Sequence, residues 1–87
     1  MSTETVVAES DAPEVVILVN GKHVKIMGPK GTGLQIKQAA IDQGVPIRLD
    51  FLLYQELPGG NKQVLDDQKV RVRRGDRFLA IANDDNS

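Results

Sequence analysis

The first half of the chain shows the alternation of apolar and polar residues expected of a β-hairpin. Residues 15–19 form an unbroken run of Val, Ile and Leu, which is typical of a strand covered on at least one face. Asn20-Gly21 follows, and this pair favours a two-residue hairpin turn because both positions accept a positive φ. Residues 23–27 then alternate between β-branched side chains and His, Lys or Met, which predicts a second, antiparallel strand with one exposed face.

A short amphipathic helix is predicted after the hairpin. Residues 28–31 break the strand, Thr32 stands at the N-cap position, and Gln35 is the matching partner of a capping box. Gly44 supplies the C-terminal stop, and Pro46 prevents the helix from continuing. The residues placed on the inner face are Ile36, Ala39 and Ala40. The residues expected to face water are Gln35, Lys37, Gln38 and Asp42.

The second half predicts further extended segments separated by turns. Residues 51–55 read as a third strand and residues 63–65 as a short strand or turn. The last two segments, 69–72 and 77–82, flank a tight turn at residues 74–76. With a right-handed crossover through the helix, this order predicts an α+β domain of the β-grasp type, a mixed sheet of four or five strands packed on one helix.

The alternation of side chains along each strand separates the two faces of the predicted sheet. If Ile17 and Val19 face the helix, their neighbours face away from it. The last strand of a β-grasp sheet lies between the first and third, so the outward residues would adjoin in an apolar patch, which is typical of an interaction site. The alternative is a set of scattered surface aliphatics. The predicted partner-binding patch comprises Leu18, Leu52, Tyr54, Leu79 and Ile81, with Arg71 and Arg73 at its rim.

Charge divides the chain of 87 residues into an acidic leader, a basic body and an acidic tail. Residues 1–13 are small, polar and acidic, and we expect them to be disordered because they offer too little apolar surface to fold. The folded domain is expected over residues 14–82, and a flexible tail over 83–87. Residues 15–82 carry all 11 basic residues and six of the 12 acidic ones, a net charge of +5. A basic body indicates either an acidic partner or simple solubility.

Several classes of function find no support in the residues present. The chain has no cysteine and one histidine, His23, and it contains neither a nucleophile–base pair nor a phosphate-binding loop, so we expect no enzyme, cofactor or metal. The +5 body raises the alternative of nucleic-acid binding, but the sequence offers too few exposed aromatics for a base-stacking platform. No apolar run reaches membrane-spanning length and residues 1–5 lack positive charge, so no membrane partner is expected and the cytoplasm is the expected compartment.

A family resemblance emerges from short motifs taken in order. The motifs are Ile17–Lys22, Gly28–Lys30, Thr32-Gly33 with Ile36, Leu57–Gly60, Asp66-Asp67, Val70–Val72 and Arg74–Phe78. Each motif by itself consists only of residues typical of turns or of a hydrophobic core. Taken together over residues 15–82, the motifs resemble those of a ubiquitin-like β-grasp protein and specifically the bacterial multiubiquitin-type domain. The resemblance implies a protein modifier without catalysis of its own. Its implied partners are a ubiquitin-activating-like adenylating enzyme, a ubiquitin-conjugating-like enzyme, a deconjugating or processing peptidase, and target proteins.

The end of the chain departs from the pattern of ubiquitin and of the related sulfur carriers, which end in diglycine. The implied conjugation or processing tail is Ala82, Asn83, Asp84, Asp85, Asn86 and Ser87. A glycine pair suits a narrow adenylation channel because no side chain obstructs the backbone. Three alternatives follow: a peptidase trims the tail, with Asn83 as a plausible new terminus; the partner enzyme accepts the tail as written; or the domain acts unconjugated, as an interaction domain.

Two further points bear on this interpretation. Leu57-Pro-Gly-Gly60 is expected to be a turn between strands and not a processing site, because cleavage there would remove the last strands from the core. A sulfur carrier with a terminal thiocarboxylate is a second alternative, although the Asn-Ser ending argues against it.

Overall fold

A computed structural model describes residues 14–83 of the chain. The predicted leader, 1–13, and residues 84–87 of the predicted tail lie outside the described residues. The elements are β1 (Glu14–Val19), β2 (Lys22–Met27), β3 (Lys30–Thr32), α1 (Gly33–Asp42), β4 (Leu52–Leu57), β5 (Gly60–Val64), β6 (Lys69–Arg71) and β7 (Arg77–Ile81).

Five strands form the main sheet, in the order β2-β1-β7-β4-β5. The contact between β1 and β7 is parallel, and the other three are antiparallel. One helix packs on this mixed sheet, so the predicted α+β fold of the β-grasp type is confirmed. The predicted place of the last strand, between the first and the third, is confirmed as well. No helix among residues 14–83 is long and apolar enough to cross a membrane.

The hairpin and the core follow the apolar pattern. Asn20 and Gly21 both have positive φ, 54° and 82°, as the predicted two-residue turn requires. The inward residues of β1, β2, β4 and β7 meet the helix in one cluster of buried side chains. The largest fully buried side chains are Phe78, Ile17, Ile36, Leu53, Val19 and Val24.

The start of α1 is fixed by its cap and by a neighbouring turn. Thr32 and Gln35 form the predicted capping box, with Thr32 Oγ1 accepting from the Gln35 backbone N–H at 3.1 Å. The next free N–H groups, of Gly33 and Leu34, donate to backbone carbonyls in the turn at residues 66–68. At Gly33 a Cβ atom would collide with the carbonyl oxygen of Leu65, so only glycine permits this close approach.

The sequence predicted that Lys37 faces water, and this prediction is wrong. The residue is 3% exposed, and its ammonium group donates to the carbonyl oxygens of Leu49 and Phe51 at 2.6 and 2.8 Å. It also lies 2.7 Å from the carboxylate of Asp66. Burial of a lysine is tolerated because each proton of the ammonium group finds an oxygen. The helix is thereby tied to the segment before β4 and to the turn after β5.

A second, two-stranded sheet was not predicted. β3 pairs antiparallel with β6, with Lys30 opposite Arg71 and Thr32 opposite Lys69. The segment after β2, expected only to break the strand, therefore contains a strand of its own. β6 is shorter than the predicted segment 69–72 and does not join the main sheet.

Candidate interaction site

The position of β7 is fixed by backbone hydrogen bonds and by one side chain from the hairpin turn. The N–H groups of Leu18 and Asn20 donate to carbonyls of Asp76 and Phe78 at 2.8 and 3.0 Å. The Asn20 side chain then bonds both backbone groups of Ala80, accepting from its N–H at 2.8 Å and donating to its carbonyl at 3.1 Å. The amide of Asn20 extends the pairing of β1 with β7 beyond the end of β1.

Asn20 is a positioning residue that sequence reasoning missed. The Asn-Gly pair was interpreted only as a hairpin turn. A turn sequence does not reveal that its side chain will form hydrogen bonds with a residue 60 positions away. Its bonds to Ala80 hold β7 directly before the chain leaves the sheet.

The side of the sheet away from the helix carries a group of apolar residues, which we call the outer-face patch: Leu18, Leu52, Tyr54, Leu79 and Ile81. The strand register places Leu52 opposite Ile81 and Tyr54 opposite Leu79. Residues that face each other across a strand pair point to the same side of a sheet. Leu18 and Leu79 line one open depression on this side. The residues that the sequence assigned to one apolar group therefore do lie on one face.

The outer-face patch is accessible in part. Leu18, Leu52, Tyr54 and Leu79 are half-buried, while Ile81 is 42% exposed. Inward neighbours on the same strands, such as Phe78 and Ala80, are buried. The predicted division of β4 and β7 into an inner and an outer face is correct.

The predicted placement of Arg71 and Arg73 at the rim of this patch is wrong. Arg71 belongs to β6, in the second sheet, and both arginines line a different depression together with Gln55 and Leu57. Gln55 lies opposite the buried Phe78, so this depression opens on the helix side of the main sheet. The alternation rule failed because it assumed that 69–72 continues the main sheet.

The arginine that the structure does place beside the outer-face patch is Arg77. It lies opposite Leu18 in the parallel pairing of β1 with β7, and it lines the same depression as Leu18 and Leu79. Glu56 lines this depression as well. The patch therefore has a basic and an acidic side chain at one border.

The depression lined by Arg71 and Arg73, on the helix side of the main sheet, is called the basic depression below. Its lining includes four cationic side chains, Lys62, Lys69, Arg71 and Arg73. Leu57, which is 42% exposed, and Val70 contribute apolar surface. The single carboxylate in the lining is that of Asp76, which accepts a hydrogen bond from the Arg73 backbone N–H at 2.9 Å.

The chain leaves β7 at an exposed position. Ala82 and Asn83 follow the last strand residue directly, and both are exposed. Asn83 borders a depression that also includes Lys37 and Asp66. Asp84, Asp85, Asn86 and Ser87 of the predicted conjugation or processing tail lie outside the described residues.

The segment Leu57–Gly60 forms the turn of the β4–β5 hairpin, as the sequence predicted. Leu57 and Gly60 are opposite each other at the end of the ladder, with Gly60 at a φ of 131°. A cut in this turn would separate β4 from the chain that continues to β7, its partner in the sheet.

Across residues 14–83, no group of three or more His, Cys, Asp or Glu side chains is arranged to hold a metal ion. The described residues offer an apolar and a basic surface, together with an exposed exit of the chain from β7 at Ala82 and Asn83.

A mixed five-stranded sheet packed on one helix, with the last strand in its centre and an apolar outer face, defines a ubiquitin-like β-grasp protein. The family model of multiubiquitin matches residues 15–84, more than half of the chain. The chain belongs to the multiubiquitin family. No curated protein and no solved structure matches it.

Proposed function

We propose that this protein is a bacterial ubiquitin-like modifier that acts in the cytoplasm. Its tail, either trimmed or as written, would be activated by a ubiquitin-activating-like adenylating enzyme and passed to a ubiquitin-conjugating-like enzyme. The product would be a target protein joined to the modifier by an amide bond, which a deconjugating peptidase could cut. Membership of the multiubiquitin family supports the ubiquitin-like part of this proposal.

The observation that carries the proposal is the exit of the chain from β7. This strand is held on both sides, by β1 and by β4, and Ala82 and Asn83 extend from it in exposed positions. Residues that follow a fixed strand leave the sheet at a defined place, here beside the outer-face patch. Such preorganisation lowers the entropy cost of entering a narrow active site.

The chemistry would belong to the partners. In the activation step, a carboxylate oxygen of the tail would attack the α-phosphate of ATP, form an acyl adenylate and expel pyrophosphate. A thiol of the partner enzymes would then attack the acyl carbon and expel AMP. An amine of the target would finally attack the resulting thioester, form the amide bond and expel the thiol. This chain contributes the carboxylate and the surface by which it is recognised.

The first test is the intact mass of the protein after incubation with ATP, a ubiquitin-activating-like enzyme, a ubiquitin-conjugating-like enzyme and a processing peptidase. We expect either a shorter species ending near Asn83 or a ladder of adducts joined through the tail. Fragmentation of the adduct would identify the linking residue. A matched control replaces ATP with a non-hydrolysable analogue that cannot release pyrophosphate.

An unchanged mass in the presence of an enzyme that conjugates another modifier would contradict conjugation. In a parallel reaction that also contains a sulfur donor, a mass gain at the C-terminal carboxyl that corresponds to replacement of one oxygen by sulfur, located there by fragmentation, would instead assign the chain to the sulfur carriers.

A second candidate function, an unconjugated interaction domain, is favoured by the outer-face patch. Partly exposed aliphatic residues on adjacent strands are typical of a protein–protein interface. In this case the domain would bind partners through its sheet without covalent attachment.

Replacement of Ile81 with Asp tests the patch in either function. We expect binding to the activating enzyme or another partner to weaken by about tenfold or more, because a charge would have to be desolvated in an apolar contact. The control is Leu34→Asp, since Leu34 on α1 has nearly the same exposure, 43% against 42% for Ile81. Equal losses in both variants, measured by calorimetry, would show that the patch is not the binding surface.

A further inference from the structure

The basic depression has more positive charge than the described residues neutralise. Within residues 14–83 the one ion pair joins Lys37 to Asp66, and neither belongs to this lining. The carboxylate of Asp76 is directed to the Arg73 backbone. Two lysines and two arginines therefore surround an apolar floor of Leu57 and Val70 without a carboxylate partner in this part of the chain. Such a surface suits an acidic segment with a few apolar residues.

The chain itself contains such a segment, and it joins the sheet beside this surface. β1 begins at Glu14 and runs parallel to β7. The N–H of Gly75, two residues after Arg73, donates to the carbonyl of Val16 at 2.9 Å. The residues that precede Glu14 therefore begin at the end of the sheet where the arginine segment lies.

We propose that the acidic leader, residues 1–13, docks on the basic depression of its own chain. The leader contains Glu4, Glu9 and Asp11 and has no lysine or arginine, so its charge is opposite to that of the depression. Between the acids lie Val6, Val7 and Ala8, which can cover the apolar floor.

The leader is long enough to reach every cation of the depression. Neighbouring strands lie about 4.8 Å apart, so β5, which carries Lys62, is roughly 14 Å from β1 across the sheet. The register also places Lys62 level with Val19, five residues along β1 from Glu14, so the straight distance from Glu14 to Lys62 is roughly 22 Å. An extended chain covers about 3.3 Å per residue, so Glu9 spans roughly 16 Å, whereas Glu4, ten residues before Glu14, spans roughly 33 Å and can reach Lys62. Asp11 can reach the nearer arginines, and Glu4 can reach beyond the depression.

The consequence is a surface that is masked by its own chain. An acidic partner must displace the leader before it can use the lysines and arginines, so its apparent affinity is reduced by the fraction of molecules in which the leader is docked. Exposed ion pairs are weak one by one, so the docked state would exchange rapidly and open to a strong competitor.

The test uses the full chain and a spin label in the leader. The sequence has no cysteine, so Ser10→Cys provides a single site for a nitroxide between Glu9 and Asp11. The nitroxide broadens the amide NMR signals of residues near it. We expect broadening at Leu57 and Lys62, which lie in β4 and β5, on the far side of β7 from β1.

Tethering alone brings the label near the arginine segment, so the decisive comparison is between variants. In Arg71→Gln/Arg73→Gln, the broadening at Leu57 and Lys62 should fall by about threefold, because both replaced cations are exposed and contribute moderately. The control, Lys22→Gln/Arg48→Gln, has the same net charge but leaves the depression intact, and it should keep the broadening. About 1 M salt should reduce the broadening of the parent protein in the same way as the arginine variant.

Equal broadening in the two variants would overturn the proposal, since it would then reflect the tether alone. Broadening at Leu57 and Lys62 in a mixture of spin-labelled and isotope-labelled molecules, at the level seen within one molecule, would also overturn it, in favour of docking on a second copy.

Discussion

Replacing Phe78 with Ala is expected to unfold the domain. Phe78 is 1% exposed and lies in β7, the strand between β1 and β4. Removal of a buried aromatic ring costs about 3–5 kcal/mol, because the lost burial and the remaining cavity both count. The free energy of unfolding of a natural domain is about 5–15 kcal/mol, and a domain this small has a limited core. Urea unfolding followed by circular dichroism measures the loss.

The matched control for Phe78→Ala is Leu79→Ala. Leu79 is the next residue of the same strand, but it is half-buried on the outer face. We expect this variant to remain folded, with a much smaller loss of stability and weaker partner binding. An unfolded Leu79→Ala beside a stable Phe78→Ala would mean that the two faces of the sheet are reversed.

Lys37→Ala is expected to produce the second largest effect, a loss of about 3 kcal/mol, since hydrogen bonds to a charged group contribute roughly 1.5–3 kcal/mol and the side-chain stem is buried as well. The replacement leaves the carbonyls of Leu49 and Phe51 without their donor. It also unties the helix from the segment before β4. Thermal and urea unfolding of the purified variant measure the change.

Two comparisons show whether the buried ammonium group itself is responsible. Lys22→Ala removes an exposed lysine and should change stability by less than about 0.5 kcal/mol. Asp66→Asn should cost about 1 kcal/mol or less, because the Asp66 side chain is 60% exposed and solvent screens the pair. A loss for Lys37→Ala no larger than that for Lys22→Ala would contradict the role assigned to the buried lysine.

The hairpin, the helix and the inner face were predictable because they rest on short-range patterns, whereas the central place of the last strand was predicted from the β-grasp fold that the order of elements indicates. The Asn20-Gly21 turn, the capping box at Thr32 and the alternation within β1, β4 and β7 are each set by residues close in sequence. Once the hairpin and crossover are fixed, few sheet topologies remain. The apolar residues of the outer-face patch were located by the same reasoning.

The features that sequence reasoning missed depend on contacts between distant residues. Lys37 has the helical spacing of the buried side of α1, three residues before Ala40, but its charge argued for water. Two carbonyls and a carboxylate from other segments make its burial possible. The placement of Arg71 failed because β6 pairs with β3, a three-residue strand too short to leave a pattern. Asn20 supplies hydrogen bonds to a strand 60 residues away, which no local pattern reveals.

The central position of β7 also determines when the domain can form. During synthesis, β7 is made after every other described strand, yet it separates β1 from β4 in the finished sheet. Until its residues are available, the nascent chain has a β1–β2 hairpin and a β4–β5 hairpin without the strand that joins them. Contacts of such long sequence separation form slowly.

The pairing of β7 and the position at which the chain leaves the sheet are therefore coupled. Ala82 and Asn83 take their exposed position beside the sheet only when β7 has entered it and completed the core. The same strand contributes Leu79 and Ile81 to the outer-face patch, so a chain in which β7 is not yet paired lacks both this patch and the defined exit of the chain from the sheet. A partner that must contact both features at once would bind the completely folded domain and not a partially folded one.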